Sequence, residues 1–365
     1  MGEHDLDALL LSSWENVYYM SGFQSAAFAG TKDWPHVLIV KKNGDVSFVV
    51  RGGVVGEGAA RETSWVSNLR GYRMIADAGD AVKRTLADMG LKGARVGAEL
   101  GEIQAVKFST GVFLDLVKTA GADFVDGSKA IWDLRMVKSK FEVDRLRKAA
   151  RIASRAAEQA FKKLRVGMTE WQIASLVGQY MMEEGADKPT FLIVQSGEKF
   201  DRQLQGLFPS ERKIRKGERV MIDFGATYRH YTSDLNRMAT VGRKPTTSER
   251  DHWNLYAEAN KKGTEAIRPG ATAASVFTAQ ARVFEEAGIK IDAVRFGHGL
   301  GLDGHELPHL GLHDKTIIKP GMVFAVEPWG IPDKDGIAFN CEDDVACTET
   351  GAERLSTIKR EIFTV

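Results

Sequence analysis

The residues most able to do chemistry are acidic side chains in two predicted hairpins of the second half of the chain. In the first hairpin, apolar runs around Asp223 and Asp234 flank a polar, turn-prone stretch. A turn centred near Tyr228 and Arg229 would place the two carboxylates directly opposite each other, unless a bulge shifts the pairing by a residue. Opposed residues in an antiparallel ladder lie about 4.5–5.5 Å apart, so we expect these side chains to be nearly in contact.

The second predicted hairpin holds another acidic pair. Glu327 ends one apolar run and Glu342 begins the next, and a turn near Lys334 and Asp335 would make the two glutamates opposed. Like charges this close destabilise a strand pair unless a cation or a shared proton lies between them. Two divalent metal ions would balance the four carboxylates.

A histidine adds a nitrogen donor to this set. His298 lies in the glycine-rich segment Phe296–Gly301, where the backbone can approach closely. Four carboxylates and one imidazole suit Mn, Fe, Co or Zn, and the excess of oxygen donors favours Mn. Two such ions about 3.5–4 Å apart can activate a water and polarise a carbonyl, which predicts hydrolysis of an amide or related C–N bond. His305 follows closely enough to hydrogen-bond the substrate or its tetrahedral intermediate.

An internal repeat indicates how these side chains are positioned. The pattern Arg-x-Gly-x-Thr occurs at 165–169 and again at 268–272, each time before a predicted helix. A strand follows each helix and carries a carboxylate six residues after a glycine, Asp223 in the first copy and Glu327 in the second. We therefore expect residues from about 140 to 365 to form two related α/β halves that meet at one shared site.

The first 130 residues predict a small α/β domain without clustered metal ligands. We expect a buried strand over 7–12, a hairpin over 37–50 around an Asn-Gly turn, and helices over 80–89 and 104–118. The predicted domains are thus residues 1–130 and 131–365. In the second, a capping box that begins at Ser139 predicts a helix to about residue 164.

Composition excludes several classes of protein. The 365 residues carry a net charge of +1, which argues against binding to nucleic acid or a membrane surface through bulk charge. No apolar run approaches the roughly 20 residues of a transmembrane helix, and the acidic start does not resemble a signal peptide. Two cysteines, Cys341 and Cys347, are too few for a disulfide scaffold. We therefore predict a cytoplasmic protein.

At these residues the sequence resembles the pita-bread-fold metallohydrolases, which include Xaa-Pro dipeptidases and aminopeptidases, methionine aminopeptidases and creatinases. The resemblance rests on the order Asp, Asp, His, Glu, Glu in the second half, and on residues 7–22 and 134–142. It implies a small creatinase-like N-terminal α/β domain followed by a C-terminal pita-bread domain. It also implies a homodimer and a peptide substrate of the Xaa-Pro type.

The resemblance implies specific roles for individual residues of this sequence. The implied ligands of two divalent ions, most simply Mn, are Asp223, Asp234, His298, Glu327 and Glu342. Glu327 would also move the proton during catalysis, and His305 would help to bind the intermediate.

Two departures from the family pattern concern the substrate. The peptidases usually carry a histidine roughly where residues 205–209 stand, around Gly206, and many have arginine where this chain has Asn340. A small-molecule C–N hydrolase of the creatinase or ectoine-hydrolase kind is therefore an alternative on the same fold. A non-catalytic binding protein is a second alternative, although binding alone does not require four confronted carboxylates.

Overall fold

A computed structural model describes residues 1–30, 34–107, 109–197, 200, 207–332 and 338–365. The chain divides into two compact units, Met1–Leu134 and Arg135–Val365. Within the described ranges, no helix is both long enough and apolar enough to cross a lipid bilayer.

The first unit is built on one six-stranded mixed sheet. Its strands are β1 (Ala8–Leu11), β2 (Val37–Lys41), β3 (Val46–Arg51), β4 (Leu69–Tyr72), β5 (Arg95–Ala98) and β6 (Asp123–Asp126), in the spatial order β4-β3-β2-β1-β5-β6. Its helices are α1 (Trp14–Ser21), α2 (Ala26–Gly30), α3 (Ala59–Thr63), α4 (Ala78–Asp88), α5 (Thr110–Thr119) and α6 (Ser128–Arg135), the last of which ends one residue into the second unit. Single-turn 3-10 helices span Gly2–His4 and Ile75–Asp77, and a π-helix spans Val54–Gly58.

The central strands of this sheet are apolar on both faces. Alternate residues of β1 belong to two different core clusters, with Leu9 and Leu11 in one and Ala8 and Leu10 in the other. Such continuous apolar runs are typical of strands that are covered on both sides. The predicted hairpin is present as antiparallel β2 and β3. The helix predicted from residue 104 begins only at Thr110, because Ser109 is extended.

The second unit contains two further sheets. The first consists of β7 (Lys188–Ser196), β8 (Arg219–Tyr228), β9 (Tyr231–Thr232), β10 (Leu235–Thr240) and β16 (Phe363–Thr364), in the order β16-β10-β8-β7 with β9 paired to β8. The other consists of β11 (Arg295–Gly299), β12 (Glu306–Gly311), β13 (Val323–Val326), β14 (Asp343–Cys347) and β15 (Ala352–Arg354), in the order β12-β11-β13-β14-β15. Its long helices are α7 (Lys140–Lys163), α8 (Glu170–Glu183), α9 (Thr247–Ala266) and α10 (Ala273–Glu286).

The predicted capping box at Ser139 is present at the start of α7, and a second one begins α8. The Ser139 side chain accepts a hydrogen bond from the Glu142 backbone N–H, and the Glu142 carboxylate accepts one from the Ser139 N–H. Thr169 and Gln172 make the same reciprocal pair at the start of α8. Each box satisfies backbone donors that the first helical turn leaves without partners.

The internal repeat is visible in equivalent backbone contacts of the two halves. Thr169 bridges to Lys213 in the first half, and Thr272 bridges to Ile317 in the second. Gly167, two residues before Thr169, donates its N–H to the carbonyl oxygen of Ile214 at 2.9 Å. Gly270 and Ile318 form the equivalent hydrogen bond in the second half, also at 2.9 Å. The prediction of two related α/β halves is confirmed, and the two sheets are joined by a bridge between Asn236 and Glu342.

Candidate metal centre

The first acidic pair lies on β8 and just before β10, but its register differs from the prediction. Asp223 pairs with Asn236, not with Asp234. The reason is the turn: Arg229 and His230 both have positive φ, 50° and 73°. They form a two-residue turn centred one residue later than predicted, and this shift moves the partner of Asp223 by two residues.

The second acidic pair has the predicted register. Val326 pairs with Asp343, and Trp329 bridges to Asn340. This register places Glu327 across from Glu342. The turn predicted near Lys334 and Asp335 lies outside the described residues, as do Gln205 and Gly206.

The sequence-predicted ligands converge in three overlapping groups. In each group, one potential ligand atom from every member lies within 4.8 Å of those from the other members. The groups are Asp223 with Asp234 and Glu342, His298 with Glu327 and Glu342, and Asp234 with His298 and His305. All six predicted site residues are thus brought together, and His305 is the only exposed one among them.

The orientation of His298 suits a metal ligand. Its Nδ1 lies 2.9 Å from the Gly299 carbonyl oxygen, which can only accept, so Nδ1 carries the proton. Nε2 therefore presents a lone pair, 3.5 Å from Glu327 Oε1 and 3.8 Å from Asp234 Oδ2. Three electron-rich atoms face one another here, an arrangement that a cation between them would stabilise.

Burial and mutual repulsion shift the ionisation of the cluster. Burial raises the pKa of Asp223 to about 7, and burial together with the charge of Asp223 raises the pKa of Glu327 to about 8. Burial and neighbouring carboxylates also raise the pKa values of Asp234 and Glu342 well above their usual range. Burial lowers the pKa of His298, so the imidazole is neutral and able to ligate.

These observations fit a divalent cation. The buried Oε1 of Glu327 accepts no hydrogen bond from the described residues. A positive charge would stabilise each feature of the cluster. It would offset the repulsion between the carboxylates, accept the lone pair of the neutral imidazole and interact with this buried oxygen of Glu327.

The comparison with known proteins agrees with this chemistry. Residues 144–349 match the metallopeptidase family M24, and residues 1–137 match the creatinase/prolidase N-terminal domain. The first match covers more than half of the chain. The chain belongs to metallopeptidase family M24.

Relatives of this M24 protein have similar length and fold. A protein named Xaa-Pro dipeptidase from Pyrococcus horikoshii is 30% identical over 372 residues, which cover 100% of this chain and 96% of that protein. Another of that name, from Pyrococcus furiosus, is 37% identical over 236 residues, 64% of this chain and 66% of that protein. The crystal structure of a prolidase from Thermococcus sibiricus has a TM-score of 0.88 at 26% identity, with 100% of this chain and 96% of that chain covered.

Family membership confirms three predictions. The protein is a metal-dependent peptidase, it uses divalent metal, and its fold is a creatinase-like N-terminal domain followed by a pita-bread domain. The alternative of a non-catalytic binding protein is thereby disfavoured.

One buried acid beside the site of the M24 protein was not predicted. Both carboxylate oxygens of Asp344 accept hydrogen bonds from the Asp234 backbone N–H, at 3.2 and 3.3 Å. Asp344 lies on β14, two residues after Glu342, which directly precedes that strand, so the alternation of the extended chain puts the two side chains on one face. The run Glu342-Asp-Asp344 contained this signal, since alternate acids in a buried strand point the same way.

Metal binding to this cluster predicts a thermal stabilisation. A cation that binds only the folded protein, at 100 times its dissociation constant, stabilises it by about 2.7 kcal/mol. For a unit of this size, that corresponds to about 5–10 °C in Tm. We expect scanning calorimetry of chelator-stripped protein to show such a rise when Mn²⁺ is added, and a return to the starting value with excess chelator. The absence of any rise with Mn²⁺, Co²⁺, Fe²⁺ or Zn²⁺ would contradict a metal site here.

Proposed function

We propose that this protein is an Xaa-Pro dipeptidase that works with two divalent ions, Mn²⁺ being the best fit. The observation that carries the proposal is the convergence of the carboxylates and His298 in three overlapping groups, each within 4.8 Å. The names of the full-length Pyrococcus horikoshii relative and of the prolidase structures support the Xaa-Pro substrate class.

The proposed metal ligands divide naturally between two ions. Asp223, Asp234 and Glu342 would hold one ion, and His298, Glu327 and Glu342 would hold the other, with Glu342 common to both groups. Oxygen donors dominate both groups, and such a set favours Mn²⁺ over softer ions. Ions bound here would supply an activated water and polarise the scissile carbonyl.

The chain's own residues would perform the proton and charge chemistry. No residue that the structure describes donates a hydrogen bond to the buried Oε1 of Glu327, so this oxygen can accept the proton of the attacking water and deliver it to the leaving amine. His305 lies at the exposed edge of the cluster, with its ring stacked on that of His298 at 3.9 Å between centroids. From there it can donate a hydrogen bond to the oxygen that becomes negative during attack.

Proline release tests this proposal directly. We expect the Mn²⁺-loaded protein to release proline from Xaa-Pro dipeptides such as Ala-Pro, and the chelated protein to release none. Xaa-Pro-Xaa tripeptides and Ala-Ala serve as matched substrates, which separate dipeptidase from aminopeptidase activity and test the need for proline. No proline release from protein that demonstrably holds metal would favour the alternative of a small-molecule C–N hydrolase. The homodimer and the cytoplasmic location stay predictions.

A further inference from the structure

Arg237 is a fully buried residue of β10, three positions after the proposed ligand Asp234. Its side chain has no exposed surface, and its guanidinium donates hydrogen bonds to one carboxylate and to several backbone carbonyl oxygens. Nη2 donates to Asp343 Oδ1 at 2.6 Å, and Nε donates to the carbonyl oxygen of Lys359 at 2.8 Å. A planar guanidinium suits such a position, because its rigid fork of donors holds several acceptors in one fixed geometry.

The remaining nitrogen of this guanidinium, Nη1, joins the two halves of the metal centre. It donates to the carbonyl oxygen of Asn236 on β10 at 2.7 Å and to that of Glu342, next to β14, at 2.6 Å. Asn236 and Glu342 also form the bridge between the two sheets, but the backbone hydrogen bond of that bridge is long, 3.4 Å from nitrogen to oxygen. Hydrogen bonds from a charged donor are the stronger kind, so the contacts of Arg237 are the firmer connection at this junction.

The two proposed ligand groups depend on this junction to different degrees. The group of Asp223, Asp234 and Glu342 spans it, because the aspartates come from the first half and the glutamate comes from the second. We call these three residues the spanning group. The group of His298, Glu327 and Glu342 lies entirely within the second half. A change in the spacing between the halves would therefore alter the spanning group and leave the other intact.

The group within the second half has a support of its own. Asn260 of α9 donates through its side-chain Nδ2 to the carbonyl oxygen of Val326 at 2.7 Å and to that of Cys341 at 3.0 Å. Val326 directly precedes Glu327, and Cys341 directly precedes Glu342. This one amide thus holds the two glutamate-bearing segments together, independently of the junction between the halves.

We propose that Arg237 is a positioning residue, which holds Glu342 at the distance from Asp223 and Asp234 that the ion of the spanning group requires. This inference rests on the proposed function, which uses two ions. Arg237 acts through the backbone of Asn236 and Glu342, not through contact with an ion or a substrate. Replacing residues that orient metal ligands commonly lowers metal affinity by about 10–100-fold. Loss of the guanidinium should therefore weaken the binding of one ion and leave that of the other unchanged.

Titration of the metal-free protein with Mn²⁺ tests this role without turnover. We expect calorimetry to show two ions per wild-type chain. Arg237→Met should bind one ion with unchanged affinity and the second about 10–100-fold more weakly. At a Mn²⁺ concentration that just fills the wild-type sites, the electron paramagnetic resonance spectrum should change accordingly. The signal of two coupled Mn²⁺ ions in wild type should be replaced by that of a single ion in the variant.

Arg360→Met is the matched control. Arg360 donates to Asp343 Oδ2 at 2.5 Å and to Thr264 Oγ1 at 3.3 Å. Each substitution removes one of three arginines that contact Asp343 and leaves two in place, so we expect both variants to fold with lowered stability. Only Arg237→Met should change metal binding. Arg237→Lys keeps the charge without the fork, so its affinity for the second ion should be intermediate.

Two results would overturn the positioning role of Arg237. One is the binding of two ions with wild-type affinity by Arg237→Met. The other is an equal weakening of both ions, or the same loss in Arg360→Met, which would assign Arg237 to the general stability of the unit. If Arg237→Met does not fold, Arg237→Lys decides by the same two criteria.

Failure of the proposed function is distinguishable from failure of this inference. Wild-type protein that binds two ions, with the second weakened in Arg237→Met, but does not hydrolyse Ala-Pro would contradict the proposed function alone. Wild-type protein that binds only one ion would contradict the inference, and with it the two-ion part of the proposed function.

Discussion

Replacing Asp234 with alanine is expected to abolish metal loading and peptidase activity together, while the fold is retained. Asp234 belongs to the group proposed to hold one ion and also lies close to His298, a ligand proposed for the other, so its loss removes a ligand of the first ion and a charge beside the second. We expect a fall in activity of about 1,000-fold or more, because removing a group needed for an activated water forfeits several kcal/mol of transition-state stabilisation. Metal content per chain and proline release from Ala-Pro should be measured on the same preparation.

The fold should survive this change for a physical reason. Burial and neighbouring carboxylates raise the pKa of Asp234, so in the metal-free protein its side chain is a source of repulsion, not of stability. Its backbone N–H, which donates to Asp344, is untouched by the substitution. Asp251→Ala, at an exposed position on α9, is the matched control and should keep both metal and activity. Near-normal metal content and turnover in Asp234→Ala would refute the ligand assignment.

The parts of this site that could be predicted from sequence depend on local pattern. The repeat predicted the common order of the two halves, and the two apolar runs on either side of a turn near Lys334 and Asp335 predicted the register of Glu327 and Glu342. The error at Asp223 has a local cause too, because Arg229 and His230 are not typical residues for positive φ. A turn that glycine or asparagine would mark was therefore placed one residue early.

The contacts that could not be predicted depend on distant residues or on one inserted residue. The extra residue in β11 between Arg295 and His298 has no signature in the sequence, since it appears only when β11 is paired with β12. Glu306 stands next to His305, yet its partners Arg135 and Lys138 are about 170 positions away. Such pairings follow from the tertiary fold, which a single sequence does not specify residue by residue.

Glu306→Gln is expected to cause the largest loss of stability. The Glu306 carboxylate is buried, with 1% of its side chain exposed, between Arg135 and Lys138, which are also almost fully buried. It further accepts the backbone N–H of Leu302 at 3.0 Å. Glutamine keeps the shape and an acceptor oxygen but removes the negative charge that faces Arg135 and Lys138. Breaking a buried pair in this way costs about 3–5 kcal/mol, and urea unfolding at pH 7 should show the loss as a lower midpoint.

The cost of this change should depend on pH in a defined direction. Burial alone would raise the pKa of Glu306, but the charges of Arg135 and Lys138 lower it to about 2. Because the pKa of Glu306 is lower in the folded than in the unfolded state, the ionised carboxylate stabilises the fold at pH values above its unfolded pKa of about 4.3. This stabilisation is lost as the pH falls toward 2. The difference between wild type and Glu306→Gln should therefore be full at pH 5–7 and shrink at lower pH.

A second substitution separates loss of charge balance from loss of packing. If Glu306→Gln destabilises because Lys138 is left buried and unpaired, then adding Lys138→Met should restore part of the lost stability, since an apolar side chain tolerates that site better than an isolated ammonium. If the double variant is less stable than Glu306→Gln alone, the carboxylate acts through packing and the ion-pair explanation is wrong. Asp144→Asn, at an exposed ion pair with Lys140, should change stability little in the same assay.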